Sequence, residues 1–237
     1  MQVTETANPG EINFLTDIET DDANDDDSES IDGIHQRLAD RDLSPQEHYV
    51  DQGYVSGANL AYSAKREVDL RGPIAQDTSA KPPGFKQADF EIDFEQQVAT
   101  CPSGQTSVSW VPRPPTDDRV GAQVLFRTKC EGCAHRAVCA PGKSGRSLEI
   151  HPYYQEIVAR RLEVQTKAFK EDMKHRPAIE GTLSEMVRKH GLRRARYRGK
   201  AKVRLQHLFT GAAVNLKRLN HALAAQRKKQ RAKATGC

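Results

Sequence analysis

The chain has 237 residues, 37% hydrophobic and 29% charged, with a net charge of +4, which suits one large domain or two small ones carrying exposed charged segments. No apolar run approaches membrane-spanning length and the start MQVTETANPG has no secretory pattern, so no membrane partner is expected and the cytoplasm is. Five clustered cysteines fit reduced thiols or a metal site better than a secreted disulfide framework.

Charge is polarised along the chain. Residues 1–36 carry eleven acids and no Lys or Arg, whereas residues 186–237 carry sixteen Lys plus Arg and no acid. So basic a block is either a solvated helix face with a frayed tail or a partner for an anion. Cations set on patterned helices favour nucleic acid.

In EINFLTDIET the even spacing of Ile12, Phe14 and Ile18 predicts a half-buried strand. DDANDDDSES follows, six of its ten residues acidic. Close carboxylates suggest a multivalent cation site, and their lack of a calcium-loop pattern suggests a hydrated loop with capping serines. Ile31, Ile34 and Leu38 give a helical stripe, EHYVDQGYV a short strand ending at Asp51, SGANLAYSAKR a helix with Leu60, Ala61 and Ala64 on one face, and VDLRGPIA another strand. Strands alternating with helices predict an α/β sheet with parallel pairs, over residues 1–75. Functional groups of such sheets collect at the carboxyl ends of strands, where Asp51 falls. An Asp before a Gly turn is equally a turn or cap residue.

From 76 to 150 helical periodicity gives way to Pro82, Pro83, Gly84, Pro112, Pro114, Pro115 and β-like pieces, FEIDF, SVSWV and QVLFRT. Cys101 opens a knuckle-like turn, Cys130 and Cys133 form a C-x2-C pair, and Cys139 follows. One plus three thiolates can complete a tetrahedral zinc site, structural because four protein ligands leave no open position; His135 is a spare ligand. Buried free thiols are the other reading.

Residues 151–225 return to helix. LEIHPYYQEIVARRLEVQTKAFKEDMKHR reads as one helical stretch with Ile157, Arg161, Val164 and Ala168 in register. Pro177 suits a first helical position, Glu180 falls in the first turn, and Gly191 reads as the stop. LRRARYR then sets Arg193, Arg194, Arg196 and Arg198 around Tyr197. A last helix from about Lys200 to Gln226 shows an apolar stripe of Leu205, Leu208, Ala212, Leu216, Leu219 and Leu223, read as core packing, before a basic tail over 226–237.

The segment RPAIEGTLSEMVRKHGLRRARYR resembles the C-terminal signature of DDE transposases of bacterial insertion sequences. Arg176 and Glu180 match its Arg-x3-Glu core; Met173 stands where the family has Tyr, and Val187, with Arg188 and Lys189 beyond, at the later basic position. YVDQGYV is similar to the stretch around the family's second catalytic Asp. The resemblance implies an RNase H-like fold, here partial, with a Cys-rich β insertion and C-terminal basic helices. Asp51 and Glu180 would be catalytic acids holding Mg2+ or Mn2+ for two-metal phosphoryl transfer on DNA. Arg176, Arg188, Arg193, Arg194, Arg196, Arg198 and Lys200 would contact DNA, with a homodimer in the synaptic complex. The family's first acid precedes a stretch resembling VTET at residues 3–6, so its strand and Asp are expected to be missing, and the chain to be a C-terminal part that binds DNA without cutting it. Asp17 and Glu19 match no family acid; Asp17 is the leading substitute. A non-catalytic nucleic-acid-binding protein with a zinc ribbon, and a nuclease with another acid set, are the alternatives.

Overall fold

The computed structural model describes residues 1–8, 10–22, 24, 26–78, 83–113 and 120–235; Asp25, Pro82, Pro114, Pro115 and Cys237, all weighed above, lie outside them. The chain divides into two compact units, one of residues 1–55, 62–72 and 167 onward, the other of 56–61 and 73–166. It mixes helices with small sheets, and among the described residues no helix is long and apolar enough to cross a membrane.

The first unit opens with strands β1 (Gln2–Glu5) and β2 (Leu15–Glu19), antiparallel with Val3 opposite Ile18. Helix α1 (Ser30–Ala39) buries Ile31, Ile34 and Leu38 along the stripe its sequence predicts. The acidic loop before it is held by local bonds, Asp26 accepting from Ser28 N at 2.9 Å and Ser30 Oγ donating to Asp27 O at 2.7 Å. Strands β3 (Glu47–Tyr49) and β4 (Asp69–Arg71) pair in parallel. The two pairs remain separate sheets among the described residues and not one sheet, although β3 and β4 form a parallel pair as the alternation of elements suggested. The reason is β1, a short polar strand without apolar alternation, which takes β2 as its partner.

Helix α2 (Gly57–Lys65) buries Leu60 of the expected face together with Asn59 and Ser63, while Ala61 is half-buried and Ala64 exposed. Short polar side chains there are bonded, and Ser63 Oγ lies 3.5 Å from His35 Nδ1, whose ring meets His48 at 2.9 Å. Two imidazoles in contact cannot both carry charge cheaply, and burial pushes His48 down to about 4.

The second unit contains a hairpin of β5 (Glu91–Asp93) and β6 (Val98–Thr100), and a three-stranded antiparallel sheet of β7 (Ser109–Pro112), β8 (Ala122–Leu125) and β9 (Ser147–Ile150). Its core joins Phe90, Val124, Phe126, Leu148 and Ile150 with Tyr154 of helix α4 (Tyr154–Glu163). Between β8 and β9 lies the short helix α3 (Arg136–Cys139). The stretch read as one helix from Leu148 thus begins as a strand, because Leu148 and Ile150 alternate into this core. Helix α5 (Lys167–Asp172) then belongs to the first unit and buries Phe169, while Ala168 is exposed.

Helix α6 (Ala178–His190) has Pro177 at its N-cap, one place before the expected position, and Gly191 ends it in the left-handed region at φ 67°. The final helix α7 (Lys200–Thr235) runs on through the stretch expected as a loose tail. It packs on β2 with the face opposite to the leucine stripe. Val214, Gly211 and His207 are buried, and Leu205, Leu208, Ala212, Leu216, Leu219 and Leu223 are exposed, so the stripe is not core. The docking is polar: Asn215 bonds both backbone groups of Leu15 at 2.9 Å, His207 meets Thr20 at 2.8 Å, and Arg218 reaches Glu5 at 2.9 Å.

Backbone approach is closest at Gly211, where an added Cβ would fall well inside contact distance of Ile18 Cδ1. A larger residue gains helix propensity there and overpacks the interface, and the second effect is the larger. Gly211→Leu is expected to lower stability by about 1–3 kcal/mol, read as an earlier urea midpoint at unchanged m-value.

Candidate active site and basic loop

Asp51 follows β3 and takes the N-cap place of a 3-10 turn (Gln52–Tyr54), yet its carboxylate makes no capping bond. It accepts instead from Arg176 Nη1 at 2.7 Å. Arg176 ends the 3-10 turn Met173–His175 that leads into α6, and its Nη2 reaches Glu180, one helical turn on, at 3.2 Å. Both carboxylates therefore flank one planar guanidinium, with their bonded oxygens within about 8 Å of each other.

Asp51 and Glu180 side chains are 63% and 62% exposed. Ion pairs this open contribute roughly 0–1 kcal/mol each, so the cluster does little for stability and its carboxylates remain available. A groove of about 690 Å³ in the same unit is lined by Glu5, Asp51, Tyr54, His175, Arg176 and Ile179, among others. Burial pushes the Tyr54 hydroxyl up to about 12, and it bonds Gln2 of β1.

Asp17 stands apart from this pair. Its side chain is 5% exposed and accepts from Arg37 Nη2 at 2.8 Å and Arg41 Nη2 at 2.6 Å. Asp17 therefore serves this unit as a buried ion-pair residue.

Arg188 lies in the last turn of α6, and Arg193, Arg194, Arg196 and Arg198 fill the connection to α7; all five are exposed, and among the described residues none forms an ion pair. Sequence reasoning missed what fixes this loop. Leu192 is buried at its start, and Gln206 of α7 clamps its middle, donating to Arg194 O at 2.9 Å and accepting from Arg196 N at 2.8 Å. A lone glutamine on a helix carries no signal that could have disclosed this. Lys200 differs from the arginines, being paired with Asp22 at 2.9 Å.

In the second unit Cys101, Cys130, Cys133 and Cys139 are half-buried free thiols that line one cavity. The Ser103 hydroxyl pulls the Cys133 thiol down, and burial pushes Cys139 up. Among the described residues no group of three or more His, Cys, Asp or Glu side chains is already drawn together as a metal-binding set.

Residues 100–220, more than half of the chain, match the model of a family described as transposase DDE domain, and the chain belongs to that family. The match takes in Arg176, Glu180, the arginine loop and all four of these cysteines, and leaves Asp51 outside it. No curated protein and no solved structure matches the chain. Membership implies an RNase H-like fold and action on DNA, and proteins of this family generally use divalent metals such as Mg2+.

Proposed function

We propose that this chain is a DNA-binding, non-cleaving form of a cytoplasmic DDE transposase, with Asp51 and Glu180 in the places of two catalytic acids and Arg176 as a contact to phosphate. The observation that carries the reading is the shared guanidinium: acids 129 positions apart meet at one arginine, in solvent-open positions with no capping duty.

The pair fits a hard divalent ion in kind, since magnesium takes one or two carboxylates and keeps waters for its other places. Asp51 and Glu180 would hold it, and the ion supplies charge stabilisation at phosphoryl oxygen and a nucleophile at neutral pH. Arg176 offers a planar fork matched to a phosphate. Because its present ion pairs are weak, exchanging a carboxylate for a DNA phosphate costs it little. The arginine loop holds the backbone on either side, and two copies of the chain bridge two transposon ends.

A two-ion centre takes a third acid as shared ligand. Among the described residues none stands beside Asp51 and Glu180, and Asp17 is committed elsewhere. The reading thus carries the expectation that residues 1–237 bind DNA and one ion without cutting the strand. Manganese titration of the full chain, followed by electron paramagnetic resonance, tests it. Asp51→Asn and Glu180→Gln should each weaken Mn2+ binding at least about tenfold. Equal affinity in all three proteins would leave a DNA-binding protein whose two acids are incidental. Robust metal-dependent cleavage would reveal a complete acid set.

A further inference from the structure

We propose that Cys101, Cys130, Cys133 and Cys139 form a structural zinc site that ties three segments of the second unit together, independently of the chemistry at Asp51 and Glu180. The four sulfurs come from a turn after β6, a 3-10 turn after β8 (Arg127–Cys130), the connection that follows it, and the end of α3. All border one cavity whose free volume is about 20 Å³, room for a single water-sized body.

Both tight turns have the form of a metal-binding knuckle. In the first, Gly104 N donates to Cys101 O at 2.8 Å and Gly104 sits at φ 75°; in the second, Cys133 N lies 3.4 Å from Cys130 O across Gly132 at φ 72°. Such turns present two sulfurs, or a sulfur and its neighbouring amides, to one side of the backbone. An amide already points at sulfur, Arg146 N donating to Cys130 Sγ at 3.3 Å, and the Ser103 hydroxyl lies 3.6 Å from Cys133 Sγ. Donors of this kind are what a metal-bound thiolate, rich in negative charge, requires around it.

Charge around the cavity agrees. Zinc with four thiolates is a net dianion, and Lys129, Arg136 and Arg146 line the cavity while no carboxylate does. The thiols are spread more widely than a coordination sphere, and binding an ion would draw them inward around the cavity they share. Binding would release up to four protons to solvent. His135 borders the cavity too, yet its ring is engaged edge-on with Phe85 at 5.4 Å between centroids, which leaves the four thiols as the ligand set. The unit also gains from such a tie, because its core is a handful of residues between two small sheets.

The test uses the full chain, purified under reducing conditions from zinc-supplemented cells. Elemental analysis should find about one zinc per chain, and exchange for cobalt should give the visible spectrum of a tetrahedral thiolate site. Cys133→Ser and Cys101→Ser should lose the metal, while His135→Ala and Cys237→Ser should keep it. Should the serine variants fail to fold, the wild-type stoichiometry and cobalt spectrum still decide. Wild-type protein without zinc, and with four thiols that react freely in the folded state, would overturn the proposal. So would zinc that survives Cys101→Ser but is lost in His135→Ala.

Discussion

Replacing Arg193, Arg194 and Arg196 together by Ala is expected to weaken binding to random duplex DNA on the order of 100-fold at low salt, and to make the salt dependence shallower. Each phosphate contact releases counterions, worth roughly 0.9 in the slope of log K against log salt, so three lost contacts should remove close to 3. The expectation rests on two features of the loop. Its arginines have no acidic partner among the described residues, so their charge is free for phosphate, and Leu192 and Gln206 hold the backbone in place, so little ordering is required on binding. Fluorescence anisotropy across a salt series measures both quantities. Lys200→Ala is the internal comparison: paired with Asp22, it should change the slope by less than a single arginine does. An unchanged slope in the triple variant would mark the loop as solvated surface.

Asp17→Asn is expected to destabilise the protein by about 1–3 kcal/mol, because a buried carboxylate that accepts charge-assisted hydrogen bonds is lost. Arg37 keeps Glu19 at 3.0 Å and Arg41 is exposed, so neither guanidinium is left as a stranded buried charge. Urea unfolding should show an earlier midpoint, and Mn2+ affinity measured below the transition should match that of the parent. The opposite pattern, intact stability with metal binding lost, would make Asp17 the substitute for the missing acid.

What could be read from the chain and what could not divide along physical lines. Ile31, Ile34 and Leu38 disclosed α1, and Glu180 and Gly191 bracketed α6, because in both cases burial or capping acts on residues close in sequence. The Arg-x3-Glu spacing puts Arg176 and Glu180 one helical turn apart, so their proximity is local too. That Asp51 joins them depends on how β3 and α6 are brought together, which no spacing records. Strand β1 was hidden for want of apolar alternation, and β9 lay inside what read as helix. The inner face of α7 follows polar complementarity and not hydrophobicity. The β1–β2 hairpin offers backbone groups at Leu15 and carboxylate at Glu5, and the helix answers with Asn215, His207 and Arg218 in place of its leucines.

The close approach at Gly211 has a mechanical consequence. From there α7 continues unbroken to Thr235, and every described side chain beyond Leu223 is exposed, so the helix is a cantilever clamped near its middle. Its last docked side chain is Arg218, and at 1.5 Å per residue the free arm from there to Lys233 is about 22 Å long. A tilt of about 5° where the arm begins then swings Lys233 through roughly 2 Å, more than half of one nucleotide step, and Arg227, Lys228 and Lys229 through less. The absence of a single methyl group at Gly211 thus sets the aim of charges several helical turns away.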